Sequence, residues 1–356
     1  MSLPGKRFGT ASCKDAAPNG AENRSFVAFR TLSDSRVEAA VPDRESFWNS
    51  IRKTDIGSLV TSKMHGTKDL AIYEKRIREL APELVVDSIS LNRDGLVNDI
   101  VIVNGALVFR FPKHEYGFKH LKDEARILGL LQDYISLEIP FPLYESDDCL
   151  AYRMISGETL RRDTLMKLPE PDQQAIADQL AQFLDELHNL PVNEITDFKI
   201  PMADALMKYK DWVNVYRRIR ERVFPLLLPH LREWVAEHFE PYLANESNFD
   251  YELKMVDTDI PPYHILFDRA RRRINGIIDF GCAGLGDPAI DLGLLIYNYG
   301  ESFVNRLYKA YPEARNYLKR ARFYAGAQEV QWLLTGIERN EPWWFAVHVG
   351  SAKDVK

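Results

Sequence analysis

The chain has 356 residues and a formal net charge of -6, which disfavours a protein built chiefly to neutralise nucleic-acid phosphates, so no nucleic-acid partner is expected. Its length leaves room for about two domains with a sizeable core. Three widely spaced cysteines match neither a disulfide framework nor a zinc site, and no run approaches the roughly 18 apolar residues of a membrane span, so we expect a cytoplasmic protein without a membrane partner.

The first part of the chain is predicted to be an extension followed by two short elements. Residues 1–66 are polar and poor in periodic apolar positions, so we interpret them as a partly ordered N-terminal extension. A short helix is predicted from Ala71 to Leu80, and the alternation after it predicts a strand from Val85 to Ser90.

A β-hairpin is the clearest local signal in the sequence. It joins Asp99–Val103 to Ala106–Phe111 through Asn104-Gly105, a pair that readily supplies the two positive φ angles of a tight turn. An amphipathic helix from about Tyr116 to Asp133 and a strand from Cys149 to Ile155 follow. This order of a small sheet, one helix and a further strand resembles the upper lobe of a kinase.

Beyond residue 155 the pattern becomes helical. Apolar residues recur at helical spacing from Ile176 to Leu187. A second helical stretch is predicted from Trp212 to Ala244, broken by Pro225 and Pro229. A third is predicted from Gln328 to the C-terminus, interrupted at Pro342.

One segment of this helical half carries ionisable side chains around a predicted strand, turn and strand. Asp259 precedes His264, which opens the first strand, and Asp279 follows the second, so the two strands would fold His264 and Asp279 side by side. A phosphoryl-transfer site needs one carboxylate to orient the attacking hydroxyl and further ligands for magnesium, because that reaction is catalysed mainly by positioning and charge neutralisation. Taken singly, these residues are better explained as loop carboxylates and a strand histidine; taken together, they favour the catalytic interpretation.

This segment resembles the aminoglycoside phosphotransferase family, and in particular its 2''-phosphotransferase branch. In that branch a His-x-Asp loop precedes an Asn-His-Ile-Leu strand and an Ile-Asp-Phe-Gly segment. The resemblance covers about Ala71 to the C-terminus. It implies an α+β, bilobed protein-kinase-like fold, with a small antiparallel sheet in an N-lobe of residues 67–155 and a mainly helical C-lobe of residues 156–356.

The resemblance also assigns roles at the site. Asp259 falls on the catalytic base, and His264 and Asp279 fall on the magnesium ligands. Asp257 stands where the family has histidine, and Tyr263 replaces the usual asparagine, so a catalytically impaired nucleotide-binding regulator is one alternative. Nearby residues expected to have structural roles are Asp287, Asp291 and His188.

The nucleotide side is predicted from the first lobe. Arg110 occupies the strand position where kinases carry a phosphate-binding lysine, and Glu124 on the next helix is its expected ionic partner, with an ordinary exposed charge pair as the alternative. Tyr152, Met154 and Ile155 align with the hinge that binds the purine edge. The bulk of Tyr152 suggests GTP use, although an ordinary buried tyrosine explains it equally well.

Together these residues predict a small-molecule kinase that transfers the γ-phosphoryl group of ATP or GTP to a hydroxyl of an aminoglycoside-like acceptor, with Mg2+ as cofactor. The acidic net charge is compatible with a cationic acceptor but does not select it. A macrolide, choline or a sugar derivative is an alternative acceptor. A protein kinase is disfavoured because the loop has neither His-Arg-Asp nor a following Ala-Pro-Glu.

Overall fold

Five strands form one antiparallel sheet in the first half of the chain. The computed structural model describes residues 70–93 and 97–340, and all of them belong to one compact unit. The predicted extension, residues 1–66, lies outside the described residues. The strands are β1 (Ile89–Asn92), β2 (Asn98–Val103), β3 (Leu107–Pro112), β4 (Pro142–Ser146) and β5 (Cys149–Arg153). Their order in the sheet is β1-β2-β3-β5-β4.

The predicted hairpin joins β2 to β3. Asn104 and Gly105 have φ angles of 55° and 62°, so the turn uses the left-handed conformation that this residue pair favours. The Asn104 side chain also accepts the backbone N–H groups of Asp87 and Ser88 at 2.9 Å and 3.0 Å. These bonds explain why the strand predicted from residue 85 begins only at β1, because the segment before it bonds to a side chain instead of a neighbouring strand.

Successive side chains of β3 point to opposite faces of the sheet, and one of these faces covers a small hydrophobic core. Phe109 and Phe111 pack in a hydrophobic cluster with Val101 and Ile77, the latter from the helix that covers residues 70–80, here α1. Successive strand residues face opposite sides of a sheet, so Arg110 faces away from this cluster. The strand that builds the small core therefore also presents a cation to the other side.

Helices make up most of the second half and bury a larger core. The helix predicted around Ile176 to Leu187 buries that apolar stripe, as its periodicity indicated. The predicted proline break is also present, because one helix ends at Arg222 and the next begins with Pro229. The missing N–H of a proline costs nothing in the first turn of a helix. The helices after α1 are α2 (Glu115–Leu131), α3 (Arg162–Lys167), α4 (Glu170–His188), α5 (Val192–Asp197), α6 (Tyr209–Arg222), α7 (Pro229–Leu243), α8 (Ala289–Tyr299), α9 (Glu301–Val304) and α10 (Leu318–Glu338).

Two small sheets in this half position the predicted site. Strands β8 (Ile265–Asp268) and β9 (Arg273–Ile277) form an antiparallel pair, and β6 (Glu158–Thr159) pairs with β8. Strand β7 (Lys254–Val256) pairs with β10 (Gly284–Gly286). These pairings place the loop before β8 beside the loop after β9, and Ile278 N–H donates to the His264 carbonyl at 3.0 Å.

A small antiparallel sheet with one long helix, followed by a mainly helical part, is the bilobed protein-kinase-like fold, so the predicted α+β class is confirmed. We propose that the lobes meet near Ile155, as the sequence suggested. Within the described residues no helix is long and apolar enough to cross a membrane.

Candidate active site

The β8–β9 hairpin brings the three predicted catalytic side chains together. His264 Nε2 lies 3.5 Å from Asp279 Oδ2, and His264 Nδ1 lies 3.7 Å from Asp259 Oδ2. The carboxylates are 40% and 37% exposed, whereas the imidazole is 11% exposed. Residues distant in sequence therefore form one cluster that is open to solvent on its carboxylate side.

The orientation of His264 fits a metal beside Asp279. Its Nδ1 lies 3.0 Å from the Asp259 carbonyl oxygen, which only accepts, so Nδ1 carries a hydrogen and Nε2 is the ring nitrogen left to bind a metal. Nε2 faces a carboxylate oxygen of Asp279, and a divalent cation would be a partner for both atoms. Among the described residues no three His, Cys, Asp or Glu side chains are arranged to hold a metal alone. His264 and Asp279 would supply two protein ligands to Mg2+, which usually takes the rest of its ligands from substrate phosphates and water.

The two half-buried carboxylates differ in proton affinity. Burial raises the pKa of Asp259 to about 6, with His264 opposing this rise and the Asp279 carboxylate reinforcing it. Burial would also raise the pKa of Asp279, but Arg110 and His264 hold it below its ordinary value. Near neutral pH, Asp279 is therefore a fixed anion, whereas Asp259 lies close to the range in which a carboxylate exchanges a proton.

Arg110 is held between two carboxylates. Its guanidinium donates to Glu124 Oε1 at 2.5 Å and to Asp279 Oδ1 at 2.8 Å. The Arg110 and Glu124 side chains are 5% and 1% exposed, so the alternative of an ordinary exposed charge pair is wrong. Glu124 Oε1 also accepts the Phe280 N–H at 3.3 Å. This buried cluster joins the sheet to the segment that carries Asp279.

Asp279 has a backbone conformation that few residues adopt. Its φ angle is 71°, in the left-handed region that costs energy for residues with a Cβ. The Asp279 side chain accepts a hydrogen bond from Arg110, and the N–H of the next residue, Phe280, donates to Glu124. These two bonds hold the strained segment in place. In this conformation Asp279 Oδ2 lies 3.5 Å from His264 Nε2.

The loop that carries Asp259 is held from within the helical lobe. The Asp291 carboxylate accepts the N–H groups of Asp257 at 3.1 Å and Thr258 at 2.8 Å, and it lies 3.0 Å from His188 Nε2. His188 and Asp291 are fully buried, so these contacts are structural. Asp287 is buried too and binds Arg320 and Tyr324.

Asp257, the departure from the family histidine, is fully buried at the base of this loop. Its Oδ1 accepts the Asp259 N–H at 3.3 Å, while its Oδ2 has no hydrogen-bond partner among the described residues. Burial raises the pKa of Asp257 well above its ordinary value, and the neighbouring Asp291 and Asp259 carboxylates add to the rise. The raised pKa favours the protonated form of Asp257, which reduces the negative charge that this residue adds to the loop.

The match to known families covers both the sheet and this site. The family model of the phosphotransferase enzyme family, APH, matches residues 88–324, which are more than half of the chain. The chain belongs to the phosphotransferase enzyme family. The resemblance inferred from the catalytic segment is thereby confirmed.

Relatives of this phosphotransferase include one protein without an assigned activity and two named kinases. The uncharacterized protein YcbJ of Bacillus subtilis is 24% identical over 224 residues, which cover 58% of this chain and 68% of that protein. Viomycin phosphotransferase of Streptomyces vinaceus is 25% identical over 222 residues, which cover 58% of this chain and 72% of that enzyme. A solved GDP complex of wild-type aminoglycoside 2'-phosphotransferase-IIIa is 26% identical, has a TM-score of 0.71, and covers 79% of this chain and 96% of its own.

The predicted hinge of this phosphotransferase follows β5. Tyr152 is buried beside Arg110, and burial raises its pKa to about 12, so its phenol is neutral. The Met154 N–H donates to the Ala106 carbonyl at 2.8 Å, so the sheet uses this donor. Met154 is exposed and Ile155 is buried, and the chain turns here from the sheet towards the helical lobe.

One side chain of this phosphotransferase that contacts the site was not singled out from the sequence. His120 lies one helical turn before Glu124 on α2, and its Nδ1 is 2.7 Å from the Gly281 carbonyl oxygen. Residues at i and i+4 share one helix face, so the spacing from Glu124 was the signal that would have identified it.

Proposed function

We propose that this chain is a small-molecule kinase that transfers the γ-phosphoryl group of ATP or GTP to a hydroxyl of an aminoglycoside-like acceptor. The observation that carries the proposal is the cluster of Asp259, His264 and Asp279. Arg110, which is buried and paired with Glu124, also bonds to Asp279. Membership of the phosphotransferase family supports the reaction class.

The nucleotide side of the site is assigned to four residues. His264 Nε2 and Asp279 Oδ2 would hold Mg2+, and the bound ion would neutralise charge on the phosphates. Arg110 would contact the phosphates, because a guanidinium is always charged and presents several donors. Glu124 keeps that guanidinium in place through a buried ion pair.

Asp259 is the proposed base. Its carboxylate is exposed, and its Oδ2 lies 3.7 Å from His264 Nδ1, so it stands beside the proposed metal site without being enclosed by it. A carboxylate in this position can orient the acceptor hydroxyl and take its proton as the bond to phosphorus forms. The Asp259 N–H donates to Asp257 Oδ1, and this bond supports the loop.

The acceptor class rests on the relatives and on charge. Viomycin phosphotransferase and aminoglycoside 2'-phosphotransferase-IIIa are named for antibiotic acceptors. A cationic acceptor fits a chain of net charge -6 whose proposed base, Asp259, is an exposed carboxylate. A macrolide, choline or sugar derivative stays the second candidate. A regulator without turnover is less well supported, because burial favours the protonated form of Asp257 and so reduces the like charge beside Asp259.

Tyr152 bears on the choice of donor nucleotide. Its side chain is buried at the end of β5, beside Arg110, where a bulky group narrows the space for the purine. GTP use is the hypothesis that follows, and the named GDP complex of the aminoglycoside phosphotransferase agrees with it.

An acceptor screen with both nucleotides tests the proposed function. Purified protein, Mg2+ and γ-labelled ATP or GTP are incubated with aminoglycosides, viomycin-like peptides, macrolides, choline and sugars, and labelled products are identified by mass. A phosphorylated aminoglycoside is expected. Nucleotide binding without a labelled product from any acceptor would favour the regulator instead.

A further inference from the structure

Strand β3 and helix α2 together contact three successive residues of the segment that carries the proposed metal ligand. Arg110, held by Glu124, donates to the Asp279 carboxylate, and Glu124 Oε1 accepts the Phe280 N–H. His120 Nδ1 lies 2.7 Å from the Gly281 carbonyl oxygen. The strained peptide at Asp279 is thus held at its side chain, at the following N–H and at the next carbonyl.

The contact of His120 is a directional hydrogen bond. A carbonyl oxygen only accepts, so Nδ1 carries the hydrogen and donates to Gly281. The side chain is 15% exposed, and a separation of 2.7 Å is short for an N–H donor. His120 and Glu124 are four residues apart on one face of α2, so one helical turn presents a donor and an acceptor to the same short segment.

The other ring nitrogen connects His120 to a second segment. Its Nε2 lies 3.6 Å from the Asp204 carboxylate, and the Asp204 N–H donates to the Cys282 carbonyl at 3.0 Å. The same segment continues beside β10, where Ala203 N–H donates to the Leu285 carbonyl at 3.0 Å. The imidazole therefore lies where α2, the segment of Asp279 and the segment of Asp204 meet.

We propose that His120 is a positioning residue for phosphoryl transfer, which acts by holding the Gly281 carbonyl and thereby the orientation of the Asp279 carboxylate towards Mg2+. This inference rests on the proposed function. Asp279 is a proposed metal ligand, so loss of the bond should weaken the apparent affinity for magnesium in the presence of nucleotide and lower turnover. Stability without ligand should change little, since the other two contacts to the segment remain.

Two amide substitutions separate the two ring nitrogens. In His120→Asn the side-chain nitrogen replaces Nδ1 and can still donate to Gly281, whereas in His120→Gln it reaches towards the position of Nε2 and Asp204. His120→Ala removes both contacts. Lys119→Ala is the matched control, because Lys119 is the exposed neighbour on the same helix.

The readouts are the Mg2+ concentration for half-maximal stabilisation by ADP or GDP, and kcat once an acceptor is known. For His120→Ala and His120→Gln we expect about a tenfold rise in that concentration and about a tenfold loss of kcat, the effect of one strong hydrogen bond. His120→Asn and Lys119→Ala should stay close to the wild type.

The outcomes separate this inference from the proposed function. If neither nucleotide stabilises the wild type with Mg2+, the proposed function fails and the inference fails with it. If the wild type responds and His120→Ala responds equally, only the inference is overturned. Should His120→Ala not fold, equal behaviour of His120→Asn and His120→Gln would overturn it as well.

Discussion

The two sides of the candidate site differ in how their carboxylates are paired with cations. On the side of the sheet, one cation, Arg110, lies between two carboxylates, Glu124 and Asp279, and bonds to both. On the side of the catalytic loop, Asp257 and Asp259 lie near each other without an arginine or lysine bonded to either, and one oxygen of Asp257 has no partner among the described residues.

The difference shows which part of the site is fixed and which part exchanges protons. Arg110 and His264 keep Asp279 ionised, so this carboxylate is ready for a metal before any nucleotide arrives. Asp259, raised to a pKa of about 6, is ionised at neutral pH and can still take up a proton. We infer that the sheet side binds and the loop side carries out the proton transfer.

The largest expected effect is the loss of the base. Asp259→Asn should lower turnover by about 10²- to 10⁴-fold, because an amide cannot accept the proton of the hydroxyl. Nucleotide affinity should be nearly unchanged, since Asp259 is not assigned to the phosphates. Steady-state kinetics and nucleotide titration of the same protein sample measure the two quantities. Unaltered turnover would remove Asp259 from the mechanism.

The next effect is on stability and concerns Arg110. Arg110→Met leaves Glu124 buried without its cation, so the free energy of unfolding should fall by about 3–5 kcal/mol in urea titrations. Arg76→Met is the matched control, because the ion pair between Arg76 and Asp148 is exposed and screened by solvent, so its loss should change stability much less. Equal losses from both variants would show that the Arg110 cluster is no more costly to break than a surface pair.

A smaller effect of opposite sign is expected at Asp257. The folded-state pKa is raised, so the folded protein holds a proton that the unfolded chain releases, and this residue makes folding less favourable as pH rises above the ordinary aspartate pKa. Asp257→Asn mimics the protonated acid and removes that cost, so it should stabilise the protein by about 1–3 kcal/mol. In urea titrations the gain should grow as the pH rises above the ordinary aspartate pKa towards the raised folded-state value. A variant less stable than the wild type at the higher pH would contradict this assignment.

The smallest effect concerns the donor. Tyr152→Leu should change the ratio of kcat/KM for GTP to kcat/KM for ATP by about 10-fold or less, because the substitution enlarges the pocket without removing a bond to the nucleotide. The ratio is internally controlled, since general damage to the fold lowers both terms. An unchanged ratio would show that Tyr152 does not select the purine.

Local patterns were sufficient to predict the features that position the site. The Asn104-Gly105 turn fixed the hairpin that carries Arg110, and the alternation around His264 placed it beside Asp279. Both depend on short-range rules of turn chemistry and strand periodicity.

Features set by distant partners were not predictable in this way. Strands β7 and β10 have three residues each, too few for a pattern, and exist because they pair with one another. The late start of β1 follows from the side chain of Asn104, far along the sequence. The raised pKa of Asp257 depends on its burial beside Asp291, and the role proposed for His120 depends on a carbonyl in the other lobe.

A crystal structure of the complex with Mg2+ and ADP or GDP tests the central claim most directly. We predict a magnesium ion bonded to His264 Nε2 and Asp279 Oδ2 at about 2.0–2.1 Å and to phosphate oxygens, with the Asp259 carboxylate open towards the acceptor side. A metal–nucleotide complex bound without contact to His264 or Asp279 would contradict the account.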